Sequence, residues 1–208
     1  MPELGIVRIP HRFEALQAAV GRERLGEVLL ESRPDIEAIK KVVAEVKSAG
    51  QGKLLFLLGP PGTGKTSLAE SLRIYLLDVV GDVLTPPPDY EVPLAGLPGW
   101  LAENLATSRR RASNRLVVVN LDGREVPRLE PAVTQAAMVN LNAFMRRNPD
   151  LLAVWPVVNE QFAARAIDDL QTAGAGTALA ADPILRVSGL ERARYFDALT
   201  LILNTLAA

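Results

Sequence analysis

The residue types and spacing best suited to chemistry lie in one stretch, Gly59-Pro60-Pro61-Gly62-Thr63-Gly64-Lys65-Thr66-Ser67, which satisfies the pattern G-x-x-x-x-G-K-[ST] in full. Glycines here allow backbone conformations in which successive amides converge on an anion. A helix starting near Lys65 would add its free N–H groups and the positive end of its dipole to the same concavity. Lys65 offers a mobile point charge for the β- and γ-phosphates of a nucleotide, and the Thr66 hydroxyl can complete the coordination of Mg²⁺. The chemistry implied is the binding of a nucleoside triphosphate together with magnesium.

Such a loop cleaves nothing by itself; it needs an acid to hold the metal and a group that orients the attacking water. Asp122 closes the run Leu116–Leu121 (LVVVNL) and is the metal-holding candidate, against the alternative of a turn residue in Asp122-Gly123. Gly123 stands where an adjacent acid would, so the nearest carboxylate is Glu125, which is equally readable as a catalytic base or as a solvated loop residue. Asn159 closes a further apolar run, Leu151–Val158, where its amide would hold the attacking water or touch the γ-phosphate; a strand-end turn is its other use.

These residues need elements to position them. Ile36, Ile39, Val43 and Val46 recur at helical spacing over 34–48, with Ser32 as cap and Gly50 and Gly52 as terminators. Lys53–Leu58 (KLLFLL) reads as a strand buried on both faces of a parallel sheet, followed by a helix over Thr66–Val80. Pro86, Pro87, Pro88, Pro93 and Pro98 mark an irregular strand-plus-loop, and Trp100–Arg111 is a helix ending in three arginines. Leu116–Leu121 is the second strong strand and Pro131–Arg147 a helix. Leu151–Val158 is a third strand in which Pro156 requires an irregularity or an unpaired position. Glu160–Thr172 reads as a helix, Gly174–Ala181 as a loop, Ile184–Val187 as a short strand and Leu190–Leu206 as a closing helix. Strands alternating with helices imply an α/β domain over 34–208, a parallel sheet with helices on both faces, preceded by an extension over 1–33.

Composition narrows the function classes. The chain has 208 residues, 49% hydrophobic and 23% charged, enough for one core of ordinary globular make-up. Lys plus Arg number 23 against 24 for Asp plus Glu, so the charge balance supports neither nucleic acid nor an anionic membrane as partner. The absence of cysteine removes thiolate chemistry, and the lone His11 argues against His-rich metal sites and Ser-His-Asp triads. Without a signal peptide or a long apolar run, the expectation is a soluble cytoplasmic protein.

Taken together, the motifs resemble the AAA+ superfamily of P-loop ATPases. GPPGTGKTS is similar to its Walker A segment, LVVVNLDGRE to its Walker B strand, and LLAVWPVVN to the strand ending in the sensor-1 Asn. Ile184–Leu206 is similar to the last core strand and helix, and Val20-Gly21-Arg22-Glu23 to a short box that lies near adenine in many members. The resemblance implies ATP (or ADP) and Mg²⁺ as ligands, ATP hydrolysis driving the remodelling of a partner, and self-association or other protein subunits. It departs from the family at Gly123, in showing no helical lid within these 208 residues, and in offering no single arginine finger among Arg165, Arg186 and Arg109–Arg111. Trp100 follows the expected second strand, where substrate-gripping loops sit in some threading members, its other reading being an aromatic buried against the sheet. The alternatives are a nucleotide-gated binding switch with little hydrolysis, and a P-loop small-molecule kinase.

Overall fold

The computed structural model describes residues 35–76, 78–124, 131–172 and 176–187. The chain divides into two units, 35–189 and a second built from 1–34 with 190–208, and the described residues belong to the first. The expected extension, the Val20–Glu23 box and the closing helix lie outside the described residues.

The first unit opens with α1 (Asp35–Ala49), which buries Ile36, Ile39, Val42, Val43 and Val46 on one stripe. It stops at Gly50, where a φ of 59° suits glycine. The remaining elements follow in order: β1 (Lys53–Leu58), α2 (Lys65–Tyr75), β2 (Val80–Leu84), a 3₁₀ turn (Leu94–Gly96), α3 (Leu97–Ala112), β3 (Leu116–Asn120), α4 (Pro131–Arg146), β4 (Leu151–Val157), α5 (Glu160–Thr172) and β5 (Leu179–Arg186). The five strands form one parallel sheet in the order β2-β3-β4-β1-β5.

Alternate residues of each strand serve opposite faces. Leu54, Phe56 and Leu58 of β1, Val117 and Val119 of β3 and Leu151, Ala153, Trp155 and Val157 of β4 share one core with α3, α4 and α5. Trp155 is its centre, stacked on Phe56 at 5.4 Å between ring centroids and edge-on to Phe162 at 5.5 Å. The intervening residues, Leu55, Leu57, Val118, Leu152 and Val154, face the side covered by α1 and α2. Helices therefore cover both faces, the arrangement an uninterrupted apolar strand such as KLLFLL requires.

The structure corrects the element boundaries in four places. The second helix ends at Tyr75, well short of Val80, and Val80–Leu84 is a strand on the sheet edge that the apolar pattern conceals. It is concealed because Asp82 is buried inside it, accepting a 2.6 Å hydrogen bond from Ser108 Oγ and a 2.9 Å ion pair from Arg111, both on α3. Pro98 lies in the first turn of α3, which begins at Leu97. Strand β5 starts at Leu179, with a register irregularity against β1 between Leu54 and Phe56 that splits its pattern. Pro156 takes the unpaired position expected of it: Leu121 N–H donates to Val154 O at 2.9 Å, so Pro156, two residues on, points along the same edge past the end of β3.

Close packing of α3 on β2 depends on Gly81, where a Cβ would sit 2.3 Å from the Ala112 carbonyl oxygen. Gly81→Ala should therefore destabilise by about 1–3 kcal/mol through overpacking against backbone. Gly99, in α3 itself and with nothing within 4 Å of its Cβ position, should gain stability as Gly99→Ala, by up to about 1 kcal/mol. Urea unfolding of the two variants against the parent measures both signs.

Candidate functional site

In a parallel sheet every strand ends at the same edge, and a crevice opens where adjacent strands send their following loops to opposite faces. Here those strands are β1 and β4, paired through Leu58 opposite Val157. After β1 the chain passes to α2 on one face, and after β4 it passes to α5 on the other. The segment Gly59–Gly64, expected from the sequence to join a buried strand to a helix, does so at this place.

Its conformation is held from both sides and from within. Gly59 N–H donates to Val157 O at 3.2 Å, and Val187 N–H donates to Leu58 O at 2.8 Å. A Cβ on Gly59 would approach the Val187 carbonyl oxygen to 2.5 Å, so a side chain is excluded at the root of the loop. Gly62 and Gly64 have φ of 81° and 76°, the left-handed region that glycine enters without strain. Gly64 caps α2, its carbonyl accepting the Leu68 N–H at 2.8 Å, and the first turn of that helix carries no acidic residue. The Lys65 ammonium folds over the loop, donating to Gly59 O at 2.7 Å and Pro60 O at 2.8 Å, while Thr63 Oγ1 donates to Pro60 O at 3.0 Å. Lys65 is buried, Thr66 is half-buried, and the side chain of Ser67 is outside the described residues. Left-handed glycines, a helix start free of acid and a lysine within the loop are the features that an anion site would draw on.

Asp122 lies just past β3, exposed, in a turn with Gly123 at φ 72°. Its N–H donates to the side-chain Oδ1 of Asn120 at 3.2 Å. Asn120 is only 1% exposed, faces the α2 side of the sheet and leaves its Nδ2 without a partner. On the other side of the turn, Arg124 is also 1% exposed. Its Nη1 and Nη2 donate to the carbonyls of Val92 and Pro87, and Asp89 lies 3.5 Å away. Burial pushes the Arg124 pKa down, opposed by the Asp89 charge. Glu125 lies outside the described residues.

At the tip of β4, Asn159 caps α5: Oδ1 accepts the N–H of Gln161 at 2.9 Å and of Phe162 at 3.2 Å. Beside it Glu160 pairs with Arg186 at the tip of β5, across the end of β1. The hydrogen bond from Arg186 and its charge hold the Glu160 carboxyl below the usual range and raise Arg186. With the folded value depressed, the pair's contribution is present above the ordinary carboxylate pKa and is lost as pH falls through the folded value; full exposure keeps it small.

The remaining candidates separate cleanly. Arg109 forms a two-pronged pair with Asp150, at 2.6 Å for both bonds, just ahead of β4 and so at the opposite edge of the sheet. Its hydrogen bond to Asp150 raises its pKa. Arg111 pairs with Asp82 and Arg110 donates to Thr107, so the basic run braces α3 rather than facing the Gly59–Ser67 loop. Arg165 is exposed on α5, and Trp100 is half-buried against the core. Sequence reading passed over Asn120 and Arg124. The first was signalled by an amide interrupting LVVVNL at an inward position; the second has no local signal, because its partners lie more than thirty positions away.

Among the described residues no cluster of three or more His, Asp or Glu side chains gathers, and no helix is long and apolar enough to cross a membrane. No family model matches the chain. Over 70 residues, 31% of this chain, it is 34% identical to Lon protease 1 of Bdellovibrio bacteriovorus, a stretch that makes up 9% of that protein. Among solved structures, it is similar to Rif2 in complex with the C-terminal domain of Rap1, with a TM-score of 0.50 and 13% identity, over 93% of this chain and 65% of that one. The chain thus spans less than two thirds of the length of either protein, and at 13% identity the second likeness concerns the fold alone.

Proposed function

We propose that this chain binds Mg-ATP at the Gly59–Ser67 loop and hydrolyses it slowly, as an AAA+-type P-loop module whose turnover drives a conformational change or remodelling of a protein partner. The observation that carries the reading is the loop itself: GPPGTGKTS joins a strand paired on both sides to a helix capped by left-handed Gly64. The stretch of identity with Lon protease 1 supports it, and a partner protein is in keeping with the fold likeness to Rif2, which was solved bound to part of Rap1.

The residues fit Mg²⁺ and a triphosphate by their chemistry. Magnesium is usually bound by one or two carboxylates together with phosphate oxygens and water, so a dedicated acidic cluster is not required. Thr66 Oγ1 and, through water, Asp122 would hold it. When bound, the ion neutralises charge developing on the phosphates and aligns them for in-line attack. The work of the chain's own groups is distinct. Amides from Gly62 to Thr66 receive phosphate oxygens, and Lys65 exchanges the Gly59 and Pro60 carbonyls for these stronger, charged acceptors. The Asn159 side chain, its Oδ1 held by the α5 cap, would keep the β4 tip in place and offer its amide group to the attacking water.

A second reading, a nucleotide-gated binding switch with little hydrolysis, is favoured by one feature. The residue after Asp122 is Gly123, and the next side chain, Arg124, is buried and turned away into the Pro87–Val92 segment. Among the described residues no carboxylate follows Asp122 on that side, and Glu125, the candidate base, lies outside them; on this reading the missing catalytic group comes from a partner or a second copy. An arginine supplied by a neighbour is worth roughly 10³–10⁵ in rate in related phosphoryl-transfer enzymes.

Lys65→Ala should abolish detectable ATP binding by calorimetry while leaving the circular dichroism spectrum unchanged; unaltered affinity would remove the nucleotide reading. Asp122→Asn should raise the Mg²⁺ concentration needed for half-maximal turnover with a smaller effect on nucleotide affinity, and an identical Mg²⁺ profile would discharge Asp122 from the metal role. Specific ATPase activity, followed with light scattering across a wide range of protein concentration, should rise as the chain self-associates or meets a partner. A slow rate that stays flat favours the binding switch, and a fast rate from a monomer contradicts both versions. Asn159→Ala should cost about 0.5–2 kcal/mol of stability through the lost cap. If Asn159 also serves the water, its turnover falls beyond what the residual folded fraction explains.

A further inference from the structure

Arg124 carries a full charge into a buried position and is not used by the chemistry above. Its guanidinium reaches two carbonyls on either side of one loop, Pro87 and Val92, and pairs with Asp89 inside it. The same loop closes on itself: Glu91 and Val92 N–H both donate to Pro88 O at 3.0 Å, and Leu94 N–H donates to Asp89 Oδ1 at 3.2 Å. With Pro86, Pro87 and Pro88 limiting its backbone freedom, the loop is a stiff unit whose hub is the Arg124 side chain. At its crest Tyr90 stands 84% exposed, the most exposed large apolar side chain among the described residues.

The other end of the connection is just as short. Arg124 is two residues from Asp122, and the turn between them is held on its near side by Asn120 and Leu121, both buried. Asp122 and Arg124 are joined through the single residue Gly123, so a displacement of Asp122 larger than that glycine absorbs passes to Arg124. Breaking Arg124 from its carbonyls would strand a desolvated charge, so the guanidinium and the loop move together. We propose that Arg124 is a positioning residue that couples Asp122 to the Tyr90 loop, so that nucleotide and metal engaged at the Gly59–Ser67 loop change the setting of Tyr90. The proposal rests on the nucleotide reading and adds to it the route by which occupancy is presented at an exposed aromatic surface. Coupling of this kind requires that the two states differ in a defined contact, and here that contact is the position of the Asp122 turn relative to the buried guanidinium.

The 208-residue chain contains no cysteine, so Tyr90→Cys introduces a unique thiol for a nitroxide label in it. Mg-ADP and a non-hydrolysable Mg-ATP analogue are titrated while spin-label mobility is recorded, with calorimetry on the same samples. The expected result is a saturable mobility change at residue 90 with the calorimetric midpoint, and none from a control label at Lys47→Cys on α1. In the Arg124→Met background, nucleotide should still bind and the residue-90 response should fall by about fivefold or more, with Arg124→Lys restoring part of it. If Arg124→Met does not fold, Arg124→Lys alone decides, since an undiminished response in it overturns the coupling. Absence of calorimetric binding in the labelled parent overturns the nucleotide reading and the coupling with it. Binding accompanied by a silent label, or a full response in folded Arg124→Met, overturns the coupling alone.

Discussion

The structure depends on the position of β1, a strand of almost continuous hydrophobic residues hydrogen-bonded in parallel on both sides, by β4 and by β5. Pairing on both edges satisfies its backbone groups, and helices on both faces take its side chains out of water. The consequence is felt at its end. Leu58 is fixed by Val157 and Val187, and the chain that follows has room only for a glycine, because a Cβ at Gly59 would meet the Val187 carbonyl. The loop that carries Lys65 and Thr66 therefore starts from an immobile point, while its own glycines let it fold back over that point.

The same sheet makes the neighbouring tips functional candidates. Because β1 hands its chain to α2 on one face and β4 hands its chain to α5 on the other, the edge between them is uncovered by either helix. Asn159 and Glu160 stand at one side of that opening, and β3, the next strand out, adds Asp122. Each tip is steadied by a different device: a helix cap at Asn159, an amide beneath the turn at Asp122, a surface ion pair from Glu160 to Arg186. These are interactions of modest strength, so the strand tips are less rigidly held than the Trp155 core.

Charged groups elsewhere show how differently burial treats them. Asp82 is tolerated inside β2 because Ser108 and Arg111 of α3 both reach it, and this fixes the helix to the sheet edge. Arg124 is held by backbone carbonyls of a proline-rich loop at Nη1 and Nη2, with Asp89 nearby, while its Nε is left without a partner. Arg109 and Asp150 remain partly solvated and brace the opposite end. In each case the partner is remote in sequence, and so the residue looks like an ordinary surface charge until the chain is folded.

That distinction divides what was legible. Local pattern alone determined the α/β class, three buried strands to within a residue of Lys53–Leu58, Leu116–Asn120 and Leu151–Val157, the strand–loop–helix setting of GPPGTGKTS and an irregular or unpaired place for Pro156, because all of these are set by periodicity, by motif spacing and by proline's missing N–H. Strand β2 was not legible: its charge and its glycine are explained only by Ser108, Arg111 and Ala112 of a helix that comes later. Nor was the true start of β5, whose register against β1 breaks at a bulge. The sequence could nominate Asp122 and Asn159 by their places at strand ends, but which strand adjoins which was decided by the order β2-β3-β4-β1-β5, and the ties made by Asn120 and Arg124 by tertiary packing. Pattern speaks for contacts a few residues apart; a desolvated charge finds its partner only when distant segments meet, and that meeting is a property of the folded chain.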